Sequence, residues 1–186
     1  MRNFQILVYI PLILLAGCDN YNPTNLFKNP SFEKISKRNQ ATSWYSGQHA
    51  GRKAYKMAVD SSISFEGKNS FKIEQFTDQV YGVVEQPVIL PKRINKRFVF
   101  SAMLKTKDVK PGDGWRLIIN CRAKDGFIIK QYQSTPLTAT TDWQKVTIEE
   151  DIPPETVKID AGAILQSLGS AWIDQASFII DPLTDK

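Results

Sequence analysis

Histidine occurs once and cysteine twice in 186 residues. A single His49 nearly excludes Cys/His zinc sites and His-dependent triads, and two cysteines cannot staple a disulfide scaffold. No run of Lys and Arg resembles a nucleic-acid patch: the net charge is +5, and the densest basic stretch, Pro91 to Arg97, reads as a solvated turn. No dense acidic cluster occurs either, and no stretch carries a helical repeat of useful length. What remains is 42% hydrophobic and 11% aromatic residues cut by scattered Gly and Pro, the mix of one globular domain rich in short strands.

The N-terminus is of another kind. Met1-Arg2-Asn3 and the apolar run Ile6 to Leu15 form an export signal too short to span a bilayer as a stable helix. It ends in Leu15-Ala16-Gly17-Cys18, which resembles the lipobox of bacterial lipoproteins. The resemblance implies a signal peptide over residues 1–17, cleavage before Cys18, and acylation of that cysteine on its sulfur and amine. Two or three acyl chains anchor stably where one alone is marginal. Asp19 in the following position favours, by the enterobacterial sorting rule, the periplasmic face of the inner membrane, with the outer membrane as the other choice. Residues 18–24 are then the lipidated Cys and a short tether, and 25–182 the domain. Cys121 lies in a strand-like run and reads as a small buried hydrophobe.

Strand-length apolar runs lie near Tyr55–Val59, Ser70–Gln75, Val80–Leu90, Phe98–Thr106, Trp115–Arg122, Phe127–Gln133, Gln144–Glu149, Val157–Leu165 and Trp172–Ile180. Turn clusters such as Pro111-Gly112-Asp113-Gly114 and Lys124-Asp125-Gly126 separate them. This spacing predicts an all-β, two-sheet antiparallel sandwich.

Five motifs in order resemble the β-jelly-roll carbohydrate-binding modules of the galactose-binding-like superfamily, in particular families four, nine, sixteen and twenty-two. They begin with Asn25-Leu26-Phe27-Lys28-Asn29-Pro30-Ser31-Phe32-Glu33, with Trp44 following, and continue with Gly67-Lys68-Asn69-Ser70-Phe71-Lys72-Ile73. Phe98 to Lys105, Thr141-Asp142-Trp143-Gln144-Lys145-Val146 and Trp172-Ile173-Asp174-Gln175-Ala176-Ser177-Phe178 complete the set. The resemblance implies a jelly roll, a glycan ligand and a structural Ca²⁺ held by Glu33 and Asp174, brought together by neighbouring terminal strands. An equal alternative is that Glu33 pairs with a Lys or caps a turn. No organic cofactor is expected.

Sugar recognition needs flat aromatic faces and planar hydrogen-bonding groups. Trp143, Phe71, Phe98, Phe100, Trp172 and Phe178 sit at motif or alternating positions and read as packing. Trp44, Tyr45, Tyr55, Tyr81, Trp115, Phe127 and Tyr132 remain as platforms. Alternation puts Arg116, Asn120 and Arg122 on one face, opposite Leu117, Ile119 and Cys121. Lys130 and Tyr132 share a face of the next strand, joined by the Asp125-Gly126 hairpin, and are expected to complete a patch that also draws on Tyr81. Its arginines favour an anionic glycan.

The leading expectation is thus a non-catalytic, lipid-anchored protein of the cell envelope that binds an oligo- or polysaccharide and no nucleic acid. The alternatives are a module for an envelope protein partner, marked by a contiguous apolar patch, and a jelly-roll lyase using Tyr132 with Arg116 and Lys130.

Overall fold

A computed structural model describes residues 24–90 and 96–182. The expected signal peptide, Cys18, Asp19 and nearly all of the expected tether lie outside the described residues, as does most of the basic stretch at 91–95. Among the described residues there is no helix, and so none long and apolar enough to cross a membrane.

Ten strands follow in order: β1 (Tyr45–Gln48), β2 (Tyr55–Asp60), β3 (Ser70–Gln75), β4 (Gly82–Ile89), β5 (Lys96–Val109), β6 (Trp115–Arg122), β7 (Ile128–Gln133), β8 (Ala139–Asp151), β9 (Lys158–Leu165) and β10 (Gly169–Pro182). They form two five-stranded sheets, ordered β1-β4-β9-β6-β7 and β2-β3-β10-β5-β8, with every pairing antiparallel. The two-sheet sandwich expected from the spacing of apolar runs is the observed architecture.

Period-two alternation explains the layering, because successive side chains leave a strand on opposite faces. Phe98, Phe100, Ala102 and Leu104 of β5 are buried in the core, as are Leu117, Ile119 and Cys121 of β6 and Ile159, Ala161, Ala163 and Leu165 of β9. Phe98 stacks on Phe178 with centroids 5.5 Å apart, and Phe27 meets Phe100 edge-on at 5.4 Å. Burial drives the Cys121 thiol up to about 11, so it stays protonated and serves as packing.

β1 is absent from the sequence reading because Tyr45-Ser46-Gly47-Gln48 carries no apolar alternation and pairs with β4 alone, as an edge strand. The N-terminal motif forms no strand of its own but lies against β10. Leu26 N donates to Phe178 O at 2.8 Å and Ala176 N to Pro30 O at 3.0 Å. The Asn25 amide donates to Ala176 O and accepts from Phe178 N. This segment takes the place beside β10 that β3 vacates after the Ile173–Phe71 pair. There β10 bulges between Asp174 and Ser177, with Gln175 at a φ of 48°.

Candidate functional site

The outer face of the β1-β4-β9-β6-β7 sheet gathers most of the expected polar residues. Cross-strand pairing builds one row from Tyr45 of β1, Glu85 of β4, Gly162 of β9, Ile118 of β6 and Gln133 of β7. A second row holds Pro87, Asp160, Asn120 and Gln131, and a third Gly47, Val83, Ile164 and Arg116.

Tyr45 is 62% exposed, and its ring lies along its own strand above Gly47. A Cβ at Gly47 would stand 2.8 Å from the Tyr45 hydroxyl, so this glycine lets the ring lie flat. Tyr81 packs on the small apolar cluster of Val83, Ile118 and Ile164, with His49 edge-on to its ring at 5.6 Å. Gly162 leaves the centre of the first row without a side chain. A Cβ there would overlap Val84 O and lie 2.6 Å from the Glu85 Cα.

Opposite the tyrosines runs a chain of planar amides. Gln133 Nε2 donates to Gln131 Oε1 at 2.7 Å, and Gln131 Nε2 to Asn120 Oδ1 at 2.8 Å. Each amide keeps further donor or acceptor capacity for a ligand hydroxyl.

The charges cancel. Arg116 binds Asp113 and Gln166, while Arg122 and Lys158 both bind Asp160. Burial raises the Glu85 carboxyl, Asp160 adds to that, and Arg122 and Lys158 oppose it. With these cations paired to carboxylates, the arginines of this face do not by themselves select an anionic glycan.

Arg116, Asn120 and Arg122 do share this face with Tyr81. Lys130 and Tyr132 do not. The pairs Ile119–Tyr132 and Cys121–Lys130 turn both toward the core side, and Gln131 and Gln133 take the outer positions. Tyr132 packs its ring on Phe98 and donates its hydroxyl to Asp151 O, and burial raises its pKa. The lyase constellation of Tyr132 with Arg116 is therefore split between two faces.

Of the other platforms, Tyr55 and Trp115 are buried, Trp44 packs on Phe27 and Phe32, and Phe127 stands exposed at a hairpin tip. Two aromatics read as core lie elsewhere. Trp143 is half-buried with its ring edge-on to Phe65, and Trp172 is buried on the outer face of the second sheet, where it donates to Asp60.

Glu33 and Asp174 reach one loop without touching. Glu33 Oε1 accepts from Lys68 N and Asn69 N and its Oε2 from Asn69 Nδ2, while Asp174 Oδ2 accepts from Phe65 N and Glu66 N and its Oδ1 from Gln175 N. All four carboxylate oxygens thus face N–H donors. Among the described residues no three His, Cys, Asp or Glu side chains gather as a metal group. These carboxylates fit a staple for the loop better than a calcium cage, which needs six or more oxygen ligands.

No family model matches the chain. A Bacillus subtilis (strain 168) protein described as the uncharacterized HTH-type transcriptional regulator YbfP is 26% identical over 136 residues, 72% of this chain and 45% of that protein. The chain therefore spans less than half the length of this curated relative. Among solved structures, the enzymatically active domain of bacteriophage CBA120 tailspike protein 4 superposes with a TM-score of 0.64 at 13% identity, covering 84% of this chain and 21% of that one. The CBM22-1 xylan-binding domain of Paenibacillus barcinonensis Xyn10C gives 0.60 at 14% identity, covering 87% and 97%. TmCBM61, solved with β-1,4-galactotriose, gives 0.53 at 19% identity, covering 84% and 98%. In architecture the chain is the two-sheet jelly roll seen in these carbohydrate-binding modules.

Proposed function

We propose that this chain is a non-catalytic carbohydrate-binding lipoprotein of the bacterial envelope, and that its ligand is an uncharged oligo- or polysaccharide lying across the outer face of the β1-β4-β9-β6-β7 sheet. The observation that carries this reading is the row Tyr45–Glu85–Gly162–Ile118–Gln133: an exposed aromatic at one end, planar amides at the other, and a central position with no side chain. An apolar sugar face can stack on Tyr45 while hydroxyls bond to Glu85, Asn120, Gln131 and Gln133. The likeness to a xylan-binding module and to a module holding a β-1,4-galactotriose supports it, since this chain spans nearly all of each.

Calorimetry against xylo- and β-1,4-galacto-oligosaccharides tests it. Tyr45→Ala is expected to weaken binding by about 1–2 kcal/mol, roughly 5- to 30-fold in Kd, with the melting temperature unchanged because the ring is exposed. Gln131→Ala is expected to act in the same direction. Undiminished binding in both variants would move the site off this face.

The anchor belongs to the same proposal, with Asp19 favouring the periplasmic face of the inner membrane. Cys18→Ala is expected to abolish lipid labelling and leave an unprocessed precursor. A labelled, processed variant would remove the anchor from the reading.

A further inference from the structure

The most exposed apolar side chains cluster at one end of the sandwich. Phe127 is 76% exposed at the tip of the β6-β7 hairpin, followed by Ile128 and Ile129, and Ile89, 71% exposed, closes β4 at the same end of its sheet. The tip is a fixed projection. Gly126 N donates to Ala123 O, Ala123 N to Phe127 O, Phe127 N to Asp125 Oδ1 and Arg122 Nη1 to Gly126 O, all at 2.9–3.1 Å. A protein does not hold a Phe rigidly in water without cost, and such a patch marks a contact surface.

The course of the N-terminal segment says which surface. Leu26 pairs with Phe178 and Pro30 with Ala176, so the segment runs antiparallel to β10. Traced back toward residue 24, it heads for the Ile180–Pro182 end of that strand. The hairpin points the same way: the Tyr132 hydroxyl bonds to Asp151 O, Asp151 pairs with Arg97, and Arg97 with Asp181. From Tyr132 the β7 strand then runs beyond that level toward Phe127. Cys18 precedes Asn25 by seven residues, a span of at most about 25 Å when fully extended.

We infer that the Phe127–Ile129 hairpin tip is a second membrane contact that seats the domain, end-on, in the interfacial layer of the bilayer carrying its lipid anchor. The inference rests on the lipidation of Cys18. A Phe and two Ile bind a bilayer weakly alone, but a tether this short makes the contact intramolecular. Exposed Lys124 and Asp125 flank the tip and leave it without net charge, so the contact rests on its apolar side chains.

The test uses the full lipidated chain reconstituted in phosphatidylethanolamine–phosphatidylglycerol vesicles. An environment-sensitive fluorophore is placed on Lys124→Cys beside the tip or, as control, on Lys110→Cys at the far end of β5; acylation of Cys18 and burial of Cys121 keep the labelling selective. Expected are a blue shift and severalfold stronger quenching by doxyl-labelled lipid at 124 than at 110. Adding Phe127→Ser and Ile128→Ser is expected to abolish that difference without lowering the melting temperature. A chain that floats with vesicles while both positions remain aqueous would overturn the tip contact alone. A blue shift in detergent that lipid quenchers do not reach would reassign the tip to a second copy or a protein partner, and overturn it too. Failure to float, matching a Cys18→Ser control, would overturn the anchor and the inference together.

Discussion

Gly162→Ala is expected to lower the stability of the domain by about 3 kcal/mol or more, a fall of roughly 6–12 °C in melting temperature for a chain of this size. An added methyl group would overlap Val84 O and press on the Glu85 Cα, and both are backbone atoms of the neighbouring strand. Room can be made only by parting β4 from β9, whose ladder runs from Gly82–Leu165 to Ile89–Lys158. Overpacking normally costs about 1–3 kcal/mol because side chains yield, and here no flexible side chain stands in the way. Glycan binding should fall as well, since the same residue forms the middle of the Tyr45–Gln133 row. A melting temperature within about 1 °C of wild type would mean that the strands separate easily.

Asp174→Ala is expected to rank next, at about 3 kcal/mol. The carboxylate is fully buried and accepts the amides of Phe65, Glu66 and Gln175. Alanine would strand three main-chain donors, and a buried donor without a partner costs about 1–3 kcal/mol. Asp174→Asn keeps an acceptor oxygen and should recover part of the loss. Thermal unfolding with and without a chelator separates the staple from a metal site: wild type is expected to melt at the same temperature in both, whereas a lower value with chelator would place a cation between Glu33 and Asp174 after all.

Most of the fold was legible because its strands alternate. Phe98-Val99-Phe100-Ser101-Ala102 declares both its length and its buried face, and nearly all the core strands repeat that pattern. β1 was not, because an edge strand with one hydrogen-bonded neighbour needs no apolar face and Gly47 interrupts what alternation there is.

The candidate site was half legible. Arg116, Asn120 and Arg122 declared their face through Leu117, Ile119 and Cys121, but Lys130 and Tyr132 were placed beside them through the Asp125-Gly126 hairpin, on a register the structure does not keep. The turn closes Ala123 on Phe127 and Arg122 on Ile128, a count that would set Asn120 against Lys130. A bulge between Cys121 and Arg122 shifts the register by one, so Asn120 meets Gln131 and Ile118 meets Gln133, and nothing in the turn residues announces that bulge. Tyr45, Glu85 and Gly162 carried no signal either, because they meet Ile118 only through β4 and β9, more than thirty residues away along the chain. The pairing of Arg122 with Asp160 depends on the same long-range contacts, whereas Asp113 lies only three residues from Arg116.

The N-terminal segment lies antiparallel to β10, clasped by Leu26, Asn25 and Pro30, and leaves toward the end where β10 finishes. Tension on a glycan held by the domain and resisted by the lipid would pull residue 24 along the strand axis. It would load those hydrogen bonds in shear, all at once, instead of peeling them in sequence. Forced unfolding is governed by the rate of the opening step, and a shear clasp makes that step slow. In the proposed lipoprotein the fold would thus join domain to anchor as a lap joint, and a tug on the polymer would be carried by the sheet as a whole.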